Sequence, residues 1–309
     1  MTRRRFLGWG SVGLAGIAAG GCATPATRVA YPPLGRFVEV DGLRIHAVAQ
    51  GEGPPVVLLH GASGNLRDFT FGVTDRVAAA GFRAIAMDRP GFGYSDRPAE
   101  DGEVPAVQAA ILRRAAAALG ADRPIVVGHS YGGAVAMAWA VDAPDRTRGV
   151  ISLAGATYPW GGDAGLIYRL GASDLTAGLT RGLARLLVDV SDPEAVIERV
   201  FKPDDPPPGY AEYVGVGLAL RPKTFQANAR DLNALNGILE RQAPHYRGLT
   251  VPVEAIHGEA DRTVWAEVHS VPLVRHVVRG RLTMLPGTGH MPHHADPGAL
   301  IAALQRLTA

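Results

Sequence analysis

The sequence predicts an α/β protein, a mostly parallel sheet of eight strands with helices on both faces, and three observations carry that prediction. Short continuous apolar runs occur at 56–60 (VVLLH), 82–88 (FRAIAMD), 125–128 (IVVG) and 148–155 (RGVISLAG). Such runs suit strands buried on both faces. Helical stretches alternate with them at 66–80, 103–119 and 132–141, and strict βα alternation implies a parallel sheet covered on both sides. The rhythm then stops over 156–249 and resumes with two more strands. The middle of the chain is therefore expected to be a helical insertion placed after the sixth strand.

Taken in order, residues 23–35 hold Pro25, Pro32 and Pro33 and predict a linker. The first core segment, 36–155, opens with FVEV (37–40) and LRIHAVAQ (43–50) joined by Asp41-Gly42. Asp-Gly between alternating strands favours a tight hairpin turn. Within the insertion, 156–249, helical stretches are expected at 164–189, 193–201 and 227–241. KPDDPPPG (202–209) cannot form regular helix and is expected to bridge two of these helices. The second core segment, 250–309, holds a strand at 251–259, a helix around 264–277 and a strand at 281–286. Asp296-Pro297 then opens the last helix as N-cap and first-turn proline.

Composition narrows the class. The chain has 309 residues, 47% hydrophobic and 19% charged, enough to bury a sizeable core. Its formal net charge is +2, and removing residues 1–22 takes it to −1 because Arg3, Arg4 and Arg5 leave and no acid goes with them. A near-neutral body offers no electrostatic case for nucleic acid. The single cysteine, Cys22, excludes an intramolecular disulfide and a cysteine-based zinc site.

Residues 1–22 read as an address. Three arginines precede a Gly/Ala-rich apolar stretch that ends at Gly21. That stretch is shorter than the ~20 residues of a membrane-spanning helix. It resembles a bacterial twin-arginine signal, which implies handling by the twin-arginine export machinery and a periplasmic destination. Ala19-Gly20-Gly21-Cys22 also resembles a lipoprotein cleavage box, with Ala19 where leucine is usual. That resemblance implies lipidation at Cys22 and membrane anchoring; cleavage elsewhere, as after Ala26, would leave a soluble periplasmic product.

The organising stretch is Pro124–Gly133, PIVVGHSYGG, a strand, a sharp turn with Ser130 at its apex, and a helix. Glycines around the serine relieve a backbone too crowded for side chains, and the helix N-terminus favours a developing anion. The stretch resembles the nucleophile elbow of the α/β-hydrolase family. In that family the chain order is nucleophile, acid, histidine, with the acid after the next-to-last strand and the histidine after the last. VEAIHGEADRTV and LPGTGHMPHHADP place Asp261 and His290 there. Glu259 and Asp163 are the alternative acids. The resemblance further implies an oxyanion hole from the backbone amides of Tyr131, after the nucleophile, and Ala62, in the His60–Gly64 loop. His60 and the Asp88–Ser95 stretch, DRPGFGYS, read as structural, with Asp88 holding nearby loops. His293 and His294 read as loop or surface residues, since no second cluster offers partners for a metal. No metal and no cofactor are expected.

The resemblance implies a serine hydrolase acting on a small-molecule carboxylic ester through an acyl-enzyme. A C–C bond hydrolase, an amidase with the same triad, or a slow-turnover ligand-binding protein of the same fold are the alternatives. Epoxide hydrolases and haloalkane dehalogenases of the family carry aspartate at the elbow, where this chain has Ser130. The insertion is expected to act as a cap over the site, with Tyr158, Trp160, Tyr210, Tyr213, Phe225 and Met291 as candidates for an apolar acyl pocket.

Overall fold

The computed structural model describes residues 31–162, 165–187 and 192–309. Eight strands form one sheet: β1 (Arg36–Val40), β2 (Leu43–Gln50), β3 (Pro55–Leu59), β4 (Arg83–Met87), β5 (Ile125–His129), β6 (Gly149–Leu153), β7 (Val253–Gly258) and β8 (Gly280–Leu285). Their spatial order is β1-β2-β4-β3-β5-β6-β7-β8. Only β2 runs antiparallel to its neighbours; β4, β3 and β5 to β8 are parallel. Every residue of β5, β6 and β7 is buried, as continuous apolar runs require.

Alternation along the central strands divides the core in two. Val57, Leu59 and Val126 face one layer, together with helices α3 (Pro105–Ala118) and α4 (Tyr131–Asp142). Val56, Leu58, Ile125 and Val127 face the other, with α2 (Val73–Ala79) and the C-terminal helix α12 (Pro297–Arg306). Helix α4 is apolar all round and buried along almost its whole length, with Trp139 fully enclosed. Asp296 caps α12 as expected, its carboxylate accepting from the Ala299 amide at 3.1 Å.

The insertion between β6 and β7 is helical. It comprises α5 (Leu166–Ala172), α6 (Ala177–Leu187), α7 (Pro193–Phe201), α8 (Tyr210–Val214) and α9 (Pro222–Gln242). The proline-rich stretch 202–209 bridges α7 and α8. Helix α9 reaches back to Pro222, five residues before the expected start, because proline at its first turn suits a helix N-terminus. Two further expectations are corrected. The helix expected at 66–80 is two, α1 (Arg67–Thr70) and α2, parted at Gly72, whose φ of 81° lies in the left-handed region. The helix expected around 264–277 is α10 (Ser270–His276), since the Asp261 carboxylate holds the Thr263 and Val264 amides in a turn before it.

The described part of the proline-rich approach, 31–35, is pinned to the body. Arg67 donates to the Pro32 carbonyl at 2.7 Å, and its guanidinium lies 5.8 Å from the Tyr31 ring centroid. The insertion is pinned by an ion pair. Asp231 of α9, fully buried, bonds Arg89 at 3.0 Å and Arg97 at 2.8 Å. Replacing Asp231 with alanine leaves the Arg89 charge buried without its carboxylate. The expected loss is about 3–5 kcal/mol of unfolding free energy, measured by urea denaturation; a change within 1 kcal/mol, about the worth of an exposed pair, would refute it.

Candidate active site

Strand β5 delivers Ser130 at its C-terminal end. The Ser130 backbone has φ 51° and ψ −118°, a strained conformation for a residue with a side chain. Its surroundings hold it there: its N–H donates to Leu153 O of β6 at 3.0 Å, and its carbonyl accepts from the amides of Gly133 in α4 and Ala156 beyond β6 at 2.9 and 3.0 Å. The glycines answer to close approach. A Cβ on Gly128 would lie 2.1 Å from Gly132 O, and one on Gly132 would lie 2.3 Å from Leu59 O. The result is a partly exposed serine at the N-terminus of α4.

Loops after β7 and β8 bring Asp261 and His290 together. Asp261 Oδ2 accepts from His290 Nδ1 at 2.7 Å, which fixes the proton on Nδ1 and leaves Nε2 as a base. Asp261 Oδ1 accepts from the amides of Thr263 and Val264 at 2.8 and 3.1 Å. His257 donates from Nε2 to the Val264 carbonyl at 2.7 Å and lies 3.2 Å from Asp261 Oδ2. Burial alone would raise the Asp261 pKa, but hydrogen bonds from His257 and His290 hold it well below the usual carboxylate range. Glu259 is exposed and takes no part; Asp163 lies outside the described residues. Among the described residues the Ser130 hydroxyl forms no hydrogen bond in this ligand-free geometry, a contact that in such sites tightens with substrate.

The amides of Ala62 and Tyr131 donate to no acceptor among the described residues. Their aim is set from behind. The Gly61 carbonyl accepts from His60 Nδ1 at 2.9 Å and Arg89 Nη2 at 3.2 Å. A trans peptide points the Ala62 N–H opposite that carbonyl, so anchoring Gly61 O orients the Ala62 donor. On the next residue, the Ser63 amide donates to Asn228 Oδ1 of α9 at 2.7 Å, and Asn228 Nδ2 donates to Ser63 Oγ at 3.0 Å. His60 accepts the Arg89 amide on Nε2 at 3.0 Å, and burial, then the Arg89 charge, lower its pKa to about 4. His60 is thus neutral and structural, as expected. Asp88 likewise ties loops, accepting from the Leu66 and Tyr94 amides at 2.7 and 2.9 Å.

A cavity of about 360 Å³ lies between these groups and the insertion. Ala62, His129 and Met291, chain neighbours of the oxyanion loop, Ser130 and His290, line one side; Ile167, Ile197, Val216, Leu220 and Phe225 line the other. Phe225, Met291 and Tyr210 are where the sequence placed them. Tyr158, Trp160 and Tyr213 do not line this cavity. Tyr158 packs on Tyr246 and hydrogen-bonds His276 at 2.9 Å. Trp160 lies against the core, its amide held by Asn236. Tyr213 stacks near Arg67 and bonds Thr70, lining a separate surface cavity. The chain places all three in or beside the insertion, yet their partners stand 76 or more positions away, on helices that point them away from the cavity.

His293 and His294 are also corrected. They sit on a short helix, α11 (Pro292–Ala295), with both side chains buried, and both reach Asp68 of α1. Asp68 and His129 line the cavity and were not among the sequence candidates. His129 Nε2 donates to the His290 carbonyl at 3.0 Å, steadying the loop that carries His290. Asn228 and Arg89 were missed as positioning groups. Arg89 lay inside a motif read as structural; Asn228 had no local signal.

A family model described as the alpha/beta hydrolase fold matches residues 54–297. The chain belongs to the α/β-hydrolase family and is an enzyme, a hydrolase of that fold. It is 38% identical over 136 residues to haloalkane dehalogenase 2 of Mycobacterium tuberculosis, a match covering 43% of this chain and 45% of that one. The match thus spans less than half of that relative. It is 28% identical over 267 residues to 2-hydroxymuconate semialdehyde hydrolase of Pseudomonas putida, covering 84% and 88%. A thermophilic esterase from Thermogutta terrifontis superposes with a TM-score of 0.68 at 21% identity, covering 88% of this chain and 97% of that one.

Four buried imidazoles set a pH dependence of folding. Burial is the leading cause in each: His60 and His269 are lowered to about 4, His293 is lowered, and His129 is held well below the ordinary histidine value. The unfolded chain takes up protons from about pH 6.5 downward, where these folded imidazoles stay neutral. The unfolded state then binds more protons, so stability is full above about pH 6.5 and falls as pH drops toward 4. His60 alone accounts for a loss on the order of 3 kcal/mol across that window. Urea midpoints measured from pH 7.5 to 4.5 should decline steadily; a flat profile would contradict neutral burial.

Proposed function

We propose that the protein hydrolyses carboxylic esters through an acyl-enzyme on Ser130. The observation that carries this is a strained, partly exposed serine at the N-terminus of α4, an Asp261–His290 pair at 2.7 Å and two unengaged backbone amides, with Ala62, His129 and Met291 lining one apolar cavity. Ser130 Oγ attacks the ester carbonyl while His290 Nε2 takes its proton. The Ala62 and Tyr131 amides receive the oxyanion, each worth about 3–4 kcal/mol in the transition state. His290 returns the proton to the leaving alcohol, then activates water to release the acid. Asp261 stays ionised throughout and stabilises the imidazolium, a role suited to a carboxyl held well below its usual range. The apolar lining favours an acyl chain over a charged group.

The similarity to the Pseudomonas putida 2-hydroxymuconate semialdehyde hydrolase supports a second reading, C–C bond hydrolysis by the same groups. Dehalogenation gains no support despite the Mycobacterium relative. Displacing a halide with Ser130 would form an ether, which water at this site cannot hydrolyse as it does an ester.

Hydrolysis of p-nitrophenyl esters from acetate to dodecanoate, with Ser130→Ala in parallel, tests the proposal. Turnover should fall on the order of 10⁶-fold in kcat if the three groups act as a unit, and the chain-length optimum reports the depth of the cavity. Equal rates in both proteins would reject the esterase reading.

We further propose that residues 1–22 direct export and that Cys22 carries a lipid. The support is sequence alone: three arginines, an apolar run, and the sole cysteine at its end. Cys22→Ala should move the protein from the membrane pellet to the soluble fraction. Equal partitioning of the two forms would exclude the anchor.

A further inference from the structure

We propose that Asp68, His293 and His294 form a binding site for a divalent transition metal of the zinc or cobalt type. The inference does not depend on the ester chemistry, since none of the three is assigned a step in it. Asp68 lies on α1 and the histidines on α11, more than 220 positions later, and the fold closes them onto one point. His294 Nε2 lies 2.9 Å and His293 Nε2 3.1 Å from the same oxygen, Asp68 Oδ1. One ligand atom from each residue can be chosen with all three within 4.8 Å of one another. A tetrahedral cation with bonds of about 2.0–2.1 Å sets its ligand atoms roughly 3.3 Å apart. The two histidine–aspartate separations therefore already stand near ligand spacing, and the third needs the imidazoles to draw together by no more than about 1.5 Å.

Charge gives an independent argument. The Asp68 carboxylate is buried, and among the described residues no lysine or arginine pairs with it. Arg67, its chain neighbour, is spent on the Tyr213 and Pro32 carbonyls. Three donors crowd Oδ1: the two imidazoles and the Tyr210 hydroxyl at 2.8 Å. His293 Nε2 also lies 3.3 Å from Oδ2, so these donors share the carboxylate, and among the described residues no lysine or arginine supplies a balancing charge. A metal ion between the three residues would supply that charge and replace two of the three donors. Two imidazoles and one carboxylate suit zinc, cobalt, nickel or ferrous iron, whereas magnesium and calcium prefer oxygen alone.

Coordination needs each imidazole to present Nε2 without its proton. His293 Nδ1 is buried and without a partner already, so a proton moved there leaves the same atom unpaired. Entry and a fourth, water ligand come from the surface cavity of about 330 Å³ lined by both histidines, Thr70 and Tyr213. The ion would join α1 to the loop that carries His290, three residues before His293, and through Asp68 to Tyr210 of the cap.

The test uses the full chain without a histidine tag, stripped with a chelator and then titrated with Co²⁺. Visible d–d absorption should saturate at one equivalent, Zn²⁺ should displace it, and the thermal midpoint should rise by several degrees with excess metal. His294→Ala and the milder His294→Gln, each checked for native circular dichroism, should lose the absorption and the thermal shift. His245→Ala, at an exposed histidine, should keep both. No saturable absorption in the wild type, or the same binding in the folded His294 variants, would overturn the proposal.

Discussion

One buried guanidinium organises the part of the molecule that holds the candidate site. Arg89 is wholly enclosed, clamped between the rings of Phe92 and Tyr131 at 4.1 and 4.3 Å. Removing such a charge from water is costly, and burial lowers its pKa even beside Asp231. The cost is tolerable only because its donors are engaged: Nε on His60 O, Nη1 on Gln108 and Asp231, Nη2 on Gly61 O. Those acceptors belong to the oxyanion loop, α3 and α9. A single planar group thus sets the peptide before Ala62, packs against the ring of Tyr131 and binds the cap to the sheet. A lysine would keep the charge and lose the fork that holds these directions together.

Around that fixed charge the site is built from neutral imidazoles and ionised carboxylates. His60 donates from Nδ1 and accepts on Nε2, so its tautomer is determined by its neighbours. His290 is oriented from two sides, by Asp261 at its ring and by His129 at its carbonyl. Gly289, just before it, donates to Asp204 of the proline-rich bridge at 2.7 Å, and a Cβ there would lie 2.3 Å from Lys202 O. The glycine of this loop is required by the closeness of the cap, a reason the motif alone does not reveal.

Much of this was legible because it is local. Apolar runs, the Asp-Gly hairpin and the glycine pattern around Ser130 are written in consecutive residues, and each imposes its geometry within a few positions. The order of Ser130, Asp261 and His290 was implied by the resemblance to the family, and the parallel strands β5, β7 and β8 deliver all three at one edge of the sheet. What escaped notice depends on distant pairing. Asp68 meets His293 across the whole chain, and Asn228 meets Ser63 across 165 positions, with nothing in either neighbourhood to mark the partner. The pocket aromatics divide in the same way. Phe225 and Met291 face the cavity, whereas Tyr158 and Trp160 turn to Tyr246, His276 and Asn236, and helical or loop spacing could not distinguish the two directions.

Helix α9 differs in kind from the rest of the insertion. Helices α5, α7 and α8 contribute cavity wall, whereas α9 adds Phe225 to that wall and also carries both Asn228, which holds the His60–Gly64 loop, and Asp231, which balances Arg89. By its contacts it belongs to the catalytic body, although the chain order assigns it to the cap. The natural boundary for exchanging specificity between relatives therefore falls near residue 221. A chimera that imports only the segment before it trades most of the pocket wall, leaving Phe225, and keeps Asn228 and Asp231 in place. One that imports the whole insertion, unless the donor carries equivalents of Asn228 and Asp231, separates an enzyme from part of its own active site.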